Sequence, residues 1–145
     1  MGDNNFSIAI IMERVSLDNK WVEEKWQAHG VIPDVAGGGR RVIYQDDRRT
    51  QILFPGHAIT LHRDEAEGYY MNVTSPEPRV FVHWRMDGEH ANPERVTVSY
   101  GEAARWMDAD HNVDGVAMPP DILAWVGTYI EENYRPEPRF KRKRQ

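Results

Sequence analysis

Alternation between apolar and polar residues is the main pattern in the first two thirds of the chain. In Phe6–Met12, and again in Arg79–Met86, every second residue is apolar, which is the period of a strand with one buried face. The segment 95–100 alternates in the same way. Short turn-rich segments separate these runs, and strands joined by short loops favour antiparallel pairing. Three shorter strands are predicted, the last two separated by a turn at Pro55-Gly56: Arg41–Gln45, Gln51–Phe54 and Ala58–His62.

The clearest helical pattern lies near the C-terminus, between Pro120 and Tyr134. Pro120 suits the first turn of a helix, and Pro136 is a natural stop. The apolar residues recur every three or four positions and form one stripe, made of Ile122, Trp125, Val126, Tyr129 and Ile130. An amphipathic helix over this segment is therefore predicted.

Two further helices are predicted from local signals. Ser99 and Glu102 fit a capping box, in which the serine hydroxyl accepts from the Glu102 N–H and the carboxylate reaches back to the start of the helix. A short helix over Ala103–Met107 would follow. A weaker helix is predicted over Asp64–Asn72, because Gly68 in its middle costs helix stability.

Together these elements predict an α+β fold. The expected architecture is a curved or partly barrelled antiparallel sheet of about six or seven strands, with the C-terminal amphipathic helix packed on it. A chain of 145 residues is one domain by length. We predict a single globular domain over residues 1–134 and a basic, flexible tail over residues 135–145.

Composition narrows the class of protein. The chain has no cysteine, which excludes disulfides, thiolate catalysis and cysteine-based zinc or iron–sulfur sites. No run approaches the roughly 20 apolar residues of a membrane-spanning helix. Asp3 stands where a secretory signal would carry basic residues, so no signal peptide is predicted. A cytoplasmic location without a membrane span is expected.

Histidines are the first candidates for chemistry, but their spacing matches no metal motif. His57 and His62 are five residues apart, so a regular strand would place them on opposite faces. His83 shares its strand face with Arg79 and Arg85, which predicts a surface or groove position.

Neighbouring carboxylates such as Glu23-Glu24 lie in polar stretches and do not suit acid–base catalysis. The glycine run at 37–39 lacks the spacing of a phosphate loop. We therefore predict no catalytic residues, no metal site and no cofactor.

The most distinctive segment is the C-terminal tail. Residues 135–145 contain six basic residues and one acidic residue, a net charge of +5 in a chain whose total is −5, so the rest carries −10. An acidic body would repel a polyanion, which makes nucleic acid an unfavoured ligand, and a tail that only aids solubility is an open alternative. Contact with a protein partner fits this charge distribution better. The predicted partner-binding residues are Arg139, Phe140, Lys141, Arg142, Lys143, Arg144 and, from a mixed segment with two tryptophans, Trp21. The second tryptophan, Trp26, is expected in the core.

Several segments resemble a known family when taken together. They are Met12-Glu13-Arg14 with Leu17-Asp18-Asn19, Trp21 and Trp26; Glu67-Gly68-Tyr69 with Asn72, Ser75-Pro76 and Pro78; and Val98-Ser99 with Glu102-Ala103, Val116, Met118-Pro119, Ala124-Trp125-Val126 and Phe140–Arg144. Over nearly its whole length the chain is similar to a bacterial domain-of-unknown-function family. Its members look like companions of formate dehydrogenase-type molybdenum enzymes, and the family offers no established active site.

The resemblance implies a non-enzymatic accessory protein that binds a subunit of a molybdenum-dependent oxidoreductase and assists its assembly or maturation. One alternative is a small enzyme in molybdenum cofactor maturation, with His83, Arg85 and a neighbouring carboxylate in a cleft. A second alternative is a nucleic-acid-binding module that uses the basic tail. Whether His57, His62 and His83 lie close together in the fold would discriminate best among these three hypotheses.

Overall fold

The computed structural model of the protein describes residues 4–17, 23–34 and 38–135. The predicted partner-binding residues all lie outside these ranges: Trp21, Arg139, Phe140, Lys141, Arg142, Lys143 and Arg144. The predicted tail is described only at Arg135, which is exposed.

In the described part of the chain, seven antiparallel strands form two sheets. The first sheet has the order β2-β1-β4-β3 and contains β1 (Asn5–Ser16), β2 (Glu24–Pro33), β3 (Arg41–Gln45) and β4 (Arg49–Thr60). The second has the order β6-β5-β7 and contains β5 (Arg79–Asp87), β6 (His90–Thr97) and β7 (Asn112–Ala117). A 3₁₀ turn (Arg63–Glu65) and three helices complete the fold: α1 (Ala66–Val73), α2 (Tyr100–Asp108) and α3 (Pro120–Asn133).

The prediction of one curved or partly barrelled sheet is wrong, because the described strands form two separate sheets and neither is curled into a barrel. The α+β class and the number of strands are confirmed. After β4 the chain leaves the first sheet through the 3₁₀ turn and α1, so β5 starts a new sheet instead of continuing the old one. The two sheets and α3 share one apolar core, formed among others by Ile8, Ile10, Met12, Val80, Val82, Ile122 and Val126.

A partly buried polar link also joins the two sheets. The Asp114 carboxylate on β7 accepts from the backbone N–H of Ala28 on β2, at 2.9 Å, and from the indole N–H of Trp84 on β5, at 2.8 Å. One carboxylate oxygen thus connects a strand of each sheet to β7. Trp26 is buried in the core as expected.

The prediction of a turn at Pro55-Gly56 is also wrong, because this point is a bulge inside one continuous strand, β4. Gly56 has a φ of +85°, and the pairing with β1 shifts by one residue between Ile8 and Ile10. A bulge takes up an extra residue while the ladder continues on both sides. The two strands predicted on either side of this point are therefore one. β2 and β7 were not predicted at all.

The helix predictions are confirmed, with small shifts at the ends. The apolar stripe of α3 packs into the core, and Pro120 is its first residue. The Ser99 hydroxyl accepts from the Glu102 N–H at 3.1 Å, as predicted for a capping box. The Glu102 carboxylate, however, accepts from the hydroxyl of Thr97 at 2.6 Å, and Thr97 in turn accepts from the Ser99 N–H at 3.1 Å.

Gly68 is required by packing. A Cβ at this position would lie 2.3 Å from the Ser99 hydroxyl oxygen, so α1 can approach the start of α2 only without a side chain here. Within the described ranges, no helix has the length and apolar character needed to cross a membrane.

Candidate functional site

An open groove of about 250 Å³ lies where the end of β4 meets β6 and α2. It contains more titratable side chains than the cleft beside Arg63 and Tyr129 or the cleft beside Arg79 and Tyr100. Its lining residues come from three elements and the segment after β4: His57, Ala58, Thr60, His62, Glu94, Arg95, Val96, Glu102 and Trp106. We call it the β4–β6 groove.

Two contacts hold the side chain of Arg95 in the β4–β6 groove. Its Nε–H donates to Nδ1 of His83 at 3.1 Å, and its guanidinium carbon lies 4.4 Å from the ring centre of Trp106. His83 holds one edge of the guanidinium through this hydrogen bond, and Trp106 packs against its face. Both kinds of contact are favourable for an arginine side chain. The Nη nitrogens of Arg95 donate to no residue that the structure describes, and no described carboxylate forms an ion pair with Arg95.

His83 lies directly opposite Arg95 in the β5–β6 ladder and is only 5% exposed. Its ring packs against Trp106 and His111, with ring centres 5.8 and 4.4 Å away. Burial, and then the charge of Arg95, lower the pKa of His83, so the ring is neutral at pH 7. Because Nδ1 accepts from Arg95, the ring proton is on Nε2.

The predicted surface or groove position of His83 is therefore wrong. The face of β5 that carries His83 is covered by α2, which places Tyr100 on Phe81 and Trp106 on His83. Arg85, the other strand residue of the alternative hypothesis, forms an ion pair of 2.9 Å with Glu94. Neither His83 nor Arg85 lines the β4–β6 groove.

His57 and His62 lie on the same groove, against the prediction of opposite faces. The strand ends at Thr60, and His62 belongs to the turn that follows, so strand alternation does not extend to it. Burial lowers the pKa of His57, which favours the neutral imidazole at pH 7. The backbone N–H of His62 donates to the hydroxyl of Tyr69 at 2.8 Å.

The two carboxylates of the β4–β6 groove already have partners within the protein. Glu94 is paired with Arg85, and Glu102 accepts from Thr97. A third carboxylate, Glu65, does not line the groove and accepts from the hydroxyl of Ser99 at 2.6 Å and from Arg105. Burial alone would raise the pKa of Glu65, but these hydrogen bonds outweigh it and the pKa is lowered.

The groove does not form a metal centre. Among residues 4–17, 23–34 and 38–135, no three histidine, aspartate or glutamate side chains are grouped closely enough to hold a metal ion. Histidines 57, 62 and 83 converge on one region of the molecule, but only His57 and His62 reach the groove itself.

A second surface feature lies at the edge of the first sheet. All five residues of β3 are exposed, and Val42, Ile43 and Tyr44 remain 54%, 44% and 47% accessible. The strand pairs with β4 on one side and with no described strand on the other. The ladder with β4 shifts between Val42 and Tyr44, so Ile43 is the extra residue of a bulge.

Residues 7–144 match the family model described as a protein of unknown function, DUF3305. The chain belongs to the DUF3305 family. The match spans both sheets, all three helices and the segment that follows α3 in sequence. No curated protein and no solved structure matches the chain.

Sequence reasoning missed Arg95 and Trp106 as site residues. The only signal for Arg95 was its position opposite apolar neighbours in the 95–100 alternation, and Trp106 was assigned only to a short helix. Arg95 and Trp106 come into contact because α2 packs over β5 and β6. The local sequence pattern does not predict that packing.

Proposed function

We propose that this DUF3305 protein is a non-catalytic accessory protein that binds a subunit of a molybdenum-dependent oxidoreductase of the formate dehydrogenase type. Its role would be to assist assembly or maturation of that enzyme. The observation that supports a protein-binding role is the exposed apolar edge strand β3. The choice of a molybdenum-dependent oxidoreductase as the partner rests on sequence segments, such as Met12-Glu13-Arg14 and Ala124-Trp125-Val126, that resemble a family whose members look like companions of such enzymes.

Strand β3 combines two features of a protein-binding edge. Its outer edge leaves backbone N–H and C=O groups without a described strand partner, and such edges are sites where a strand of another protein can add. Its large apolar side chains Val42, Ile43 and Tyr44 remain accessible, whereas natural sheet edges are commonly protected by charge. The bulge at Ile43 interrupts a regular ladder and so disfavours unspecific edge-to-edge aggregation.

The groups around the β4–β6 groove support binding over catalysis. His83 uses Nδ1 to hold Arg95, Glu94 is in an ion pair, and Glu102 accepts from Thr97. A general acid or base needs a free position facing the proton that it transfers. Each of these three groups already has a hydrogen-bond or ion-pair partner within the protein, which favours a structural role for it.

The basic C-terminal segment is the second part of the proposal. The charge of +5 over residues 135–145 contrasts with the acidic remainder of the chain, and this contrast favours contact with an acidic protein surface. Deletion of residues 139–145 should weaken recovery of the partner and leave the melting temperature unchanged. A large fall in melting temperature would instead assign the segment to the fold.

The direct test is affinity purification of the tagged protein from its native cells, with mass spectrometry and a molybdenum assay of the recovered fraction. A subunit of a molybdenum-dependent oxidoreductase should be recovered with the wild type. The double substitution Val42→Lys/Ile43→Lys should reduce that recovery at least tenfold, because it replaces apolar contacts at the edge with charges.

Met107→Lys/Leu123→Lys provides the matched control. These residues are 47% and 37% accessible, lie on α2 and α3, and change the net charge by the same amount. The control should recover the partner as well as the wild type does. Recovery without any subunit of such an enzyme, or equal losses in both double variants, would contradict the proposal.

A further inference from the structure

The guanidinium of Arg95 differs from those of the arginines that are paired on the protein surface. Arg85, Arg79 and Arg105 each contact a carboxylate, on Glu94, Glu77 and Glu65 respectively. Arg95 contacts no described carboxylate, although its neighbour in sequence is Glu94. Its charge faces an open groove instead of an internal partner.

The position of this guanidinium is fixed before any ligand arrives. Trp106 covers a face of the group, and the Nε–H is used by the buried acceptor His83. Four N–H donors on the two Nη nitrogens remain, and a planar fork of this kind matches the two oxygens of a carboxylate. Since the side chain is held by two partners, binding costs less conformational entropy than it would for a mobile surface arginine.

Additional hydrogen-bond donors line the same groove. His57 and His62 contribute imidazole rings from the end of β4 and the turn that follows it. An imidazole ring carries at least one N–H in either protonation state, so each ring can donate to an anion. The groove thus offers the guanidinium of Arg95 with two imidazole rings beside it.

The charge of the groove limits what anion it accepts. Glu94 and Glu102 line it as well, and only Glu94 is paired with a cation. These carboxylates would repel a dianionic phosphate more strongly than a singly charged group. A volume of about 250 Å³ suits a small group and not a nucleotide or a large cofactor.

The geometry points to a carboxylate-binding site in the β4–β6 groove, in which Arg95 holds a singly charged carboxylate through its Nη nitrogens beside His57 and His62. The carboxylate comes from a glutamate or aspartate side chain of a peptide or from a free small acid. This site is independent of the β3 edge, so either proposal can fail while the other stands.

The test follows the side-chain Nε–H signal of Arg95 by ¹⁵N NMR while sodium acetate is added to the full-length protein at constant ionic strength. Acetate should shift this signal to saturation with a Kd in the millimolar range, and phosphate should shift it at least tenfold more weakly. Lack of saturation with acetate, or equal binding of phosphate, would overturn the inference. This readout uses the wild type and does not depend on any variant folding.

Arg95→Lys should weaken acetate binding at least tenfold, measured through the ring signals of His57, because a lysine lacks both the planar fork and the stacking surface. Arg79→Lys, which removes a guanidinium away from this groove, should bind acetate as the wild type does. Wild-type affinity in Arg95→Lys would contradict the assignment.

The blocked peptide acetyl-Gly-Glu-Gly-amide distinguishes the two sources of the carboxylate. If the site takes a peptide side chain, this peptide should bind at least tenfold more tightly than acetate. Equal affinity would assign the site to a free small acid, and exclusion of both probes would overturn the site altogether.

Discussion

Arg95 donates its Nε–H to Nδ1 of His83, and this hydrogen bond of 3.1 Å joins two residues directly opposite each other on β5 and β6. The bond is possible only while Nδ1 of His83 carries no proton. His83 is also buried beneath Trp106. The protonation state of one histidine is therefore coupled to the stability of the second sheet and to the position of the groove arginine.

The first prediction concerns acid stability. Because burial and the charge of Arg95 lower the pKa of His83 below its ordinary value of 6.5, the unfolded chain binds a proton that the folded chain excludes. Stability should fall as pH drops below 6.5, with a contribution from this residue of up to about 1.4 kcal/mol per pH unit. Urea unfolding at pH 7.5 and 5.5 measures the slope.

His83→Asn isolates this contribution. The Asn side-chain oxygen can accept from Arg95 but does not titrate, so the fall in stability between pH 7.5 and 5.5 should be smaller in the variant. The residual slope contains His57, whose pKa burial also lowers. An unchanged slope in the variant would show that His83 does not couple to folding.

The second prediction concerns Gly68 in α1. Alanine is the better helix former by about 1 kcal/mol, yet its Cβ would lie 2.3 Å from the Ser99 oxygen and disturb the cap of α2. Gly68→Ala should therefore lower the free energy of unfolding by about 2 kcal/mol. Gly127→Ala in α3, where a Cβ would meet nothing within 4 Å, should raise it by about 0.5–1 kcal/mol. Equal effects of the two substitutions in urea unfolding would contradict the packing argument.

The third prediction concerns Asn72, a fully buried residue of α1. Its side-chain amide donates to the carbonyls of Arg79 and Val98, at 2.7 and 2.9 Å, and accepts from the Arg79 N–H at 2.9 Å. Asn72→Ala would remove hydrogen bonds to three backbone groups, of which the Val98 carbonyl is buried and the two of Arg79 are partly buried, and should cost about 3 kcal/mol. Asn133→Ala, which removes one partly buried bond to the Tyr129 carbonyl and one long, exposed bond from Arg63, should cost no more than about 1 kcal/mol.

The fourth prediction concerns Glu13, which is only 1% exposed on the central strand β1. Gln27 and Gln51, its neighbours on β2 and β4, each donate to one of its oxygens at 2.9 Å. Burial by itself raises the pKa of Glu13, but these bonds, together with the charges of His29 and Arg49, outweigh it and hold the pKa below the ordinary 4.5.

Because the folded pKa of Glu13 is lowered, its stabilising contribution is present above pH 4.5 and is lost as pH falls through the folded pKa. Glu13→Gln keeps one acceptor oxygen but places an amide NH2 against the second of the two glutamine donors, and should cost about 2–3 kcal/mol at pH 7, with a smaller difference from the wild type at pH 3. Glu24→Gln, at a surface pair with Arg14, should cost less than about 0.5 kcal/mol. A cost that does not change with pH would contradict the ionised state of Glu13. Thermal and urea unfolding across this pH range provide the measurement.

Regular periodicity predicted the elements that bury one continuous face. The stripe on α3, the alternation in β1 and the serine cap of α2 depend on residues close together in sequence, and all three match the structure. The alternation in β5 holds for Val80 and Val82 but fails at Met86, which is exposed, and at His83, which is buried on the opposite face. The predictions failed where geometry broke that period. The bulge at Gly56 merged two predicted strands, and β2 and β7 carry too few alternating apolar residues to be recognised.

By itself, the sequence determined the α+β class, the C-terminal helix and the contrast between an acidic body and a basic end, because each follows from composition or from short-range spacing. Only the tertiary structure decided that the strands divide into two sheets and that β4, β6 and α2 meet at one groove. The orientation of Arg95 and the burial of His83 depend on neighbours that are 11 to 28 residues away in the chain. Burial and hydrogen bonding between such distant residues are set by packing, which has no local sequence signature.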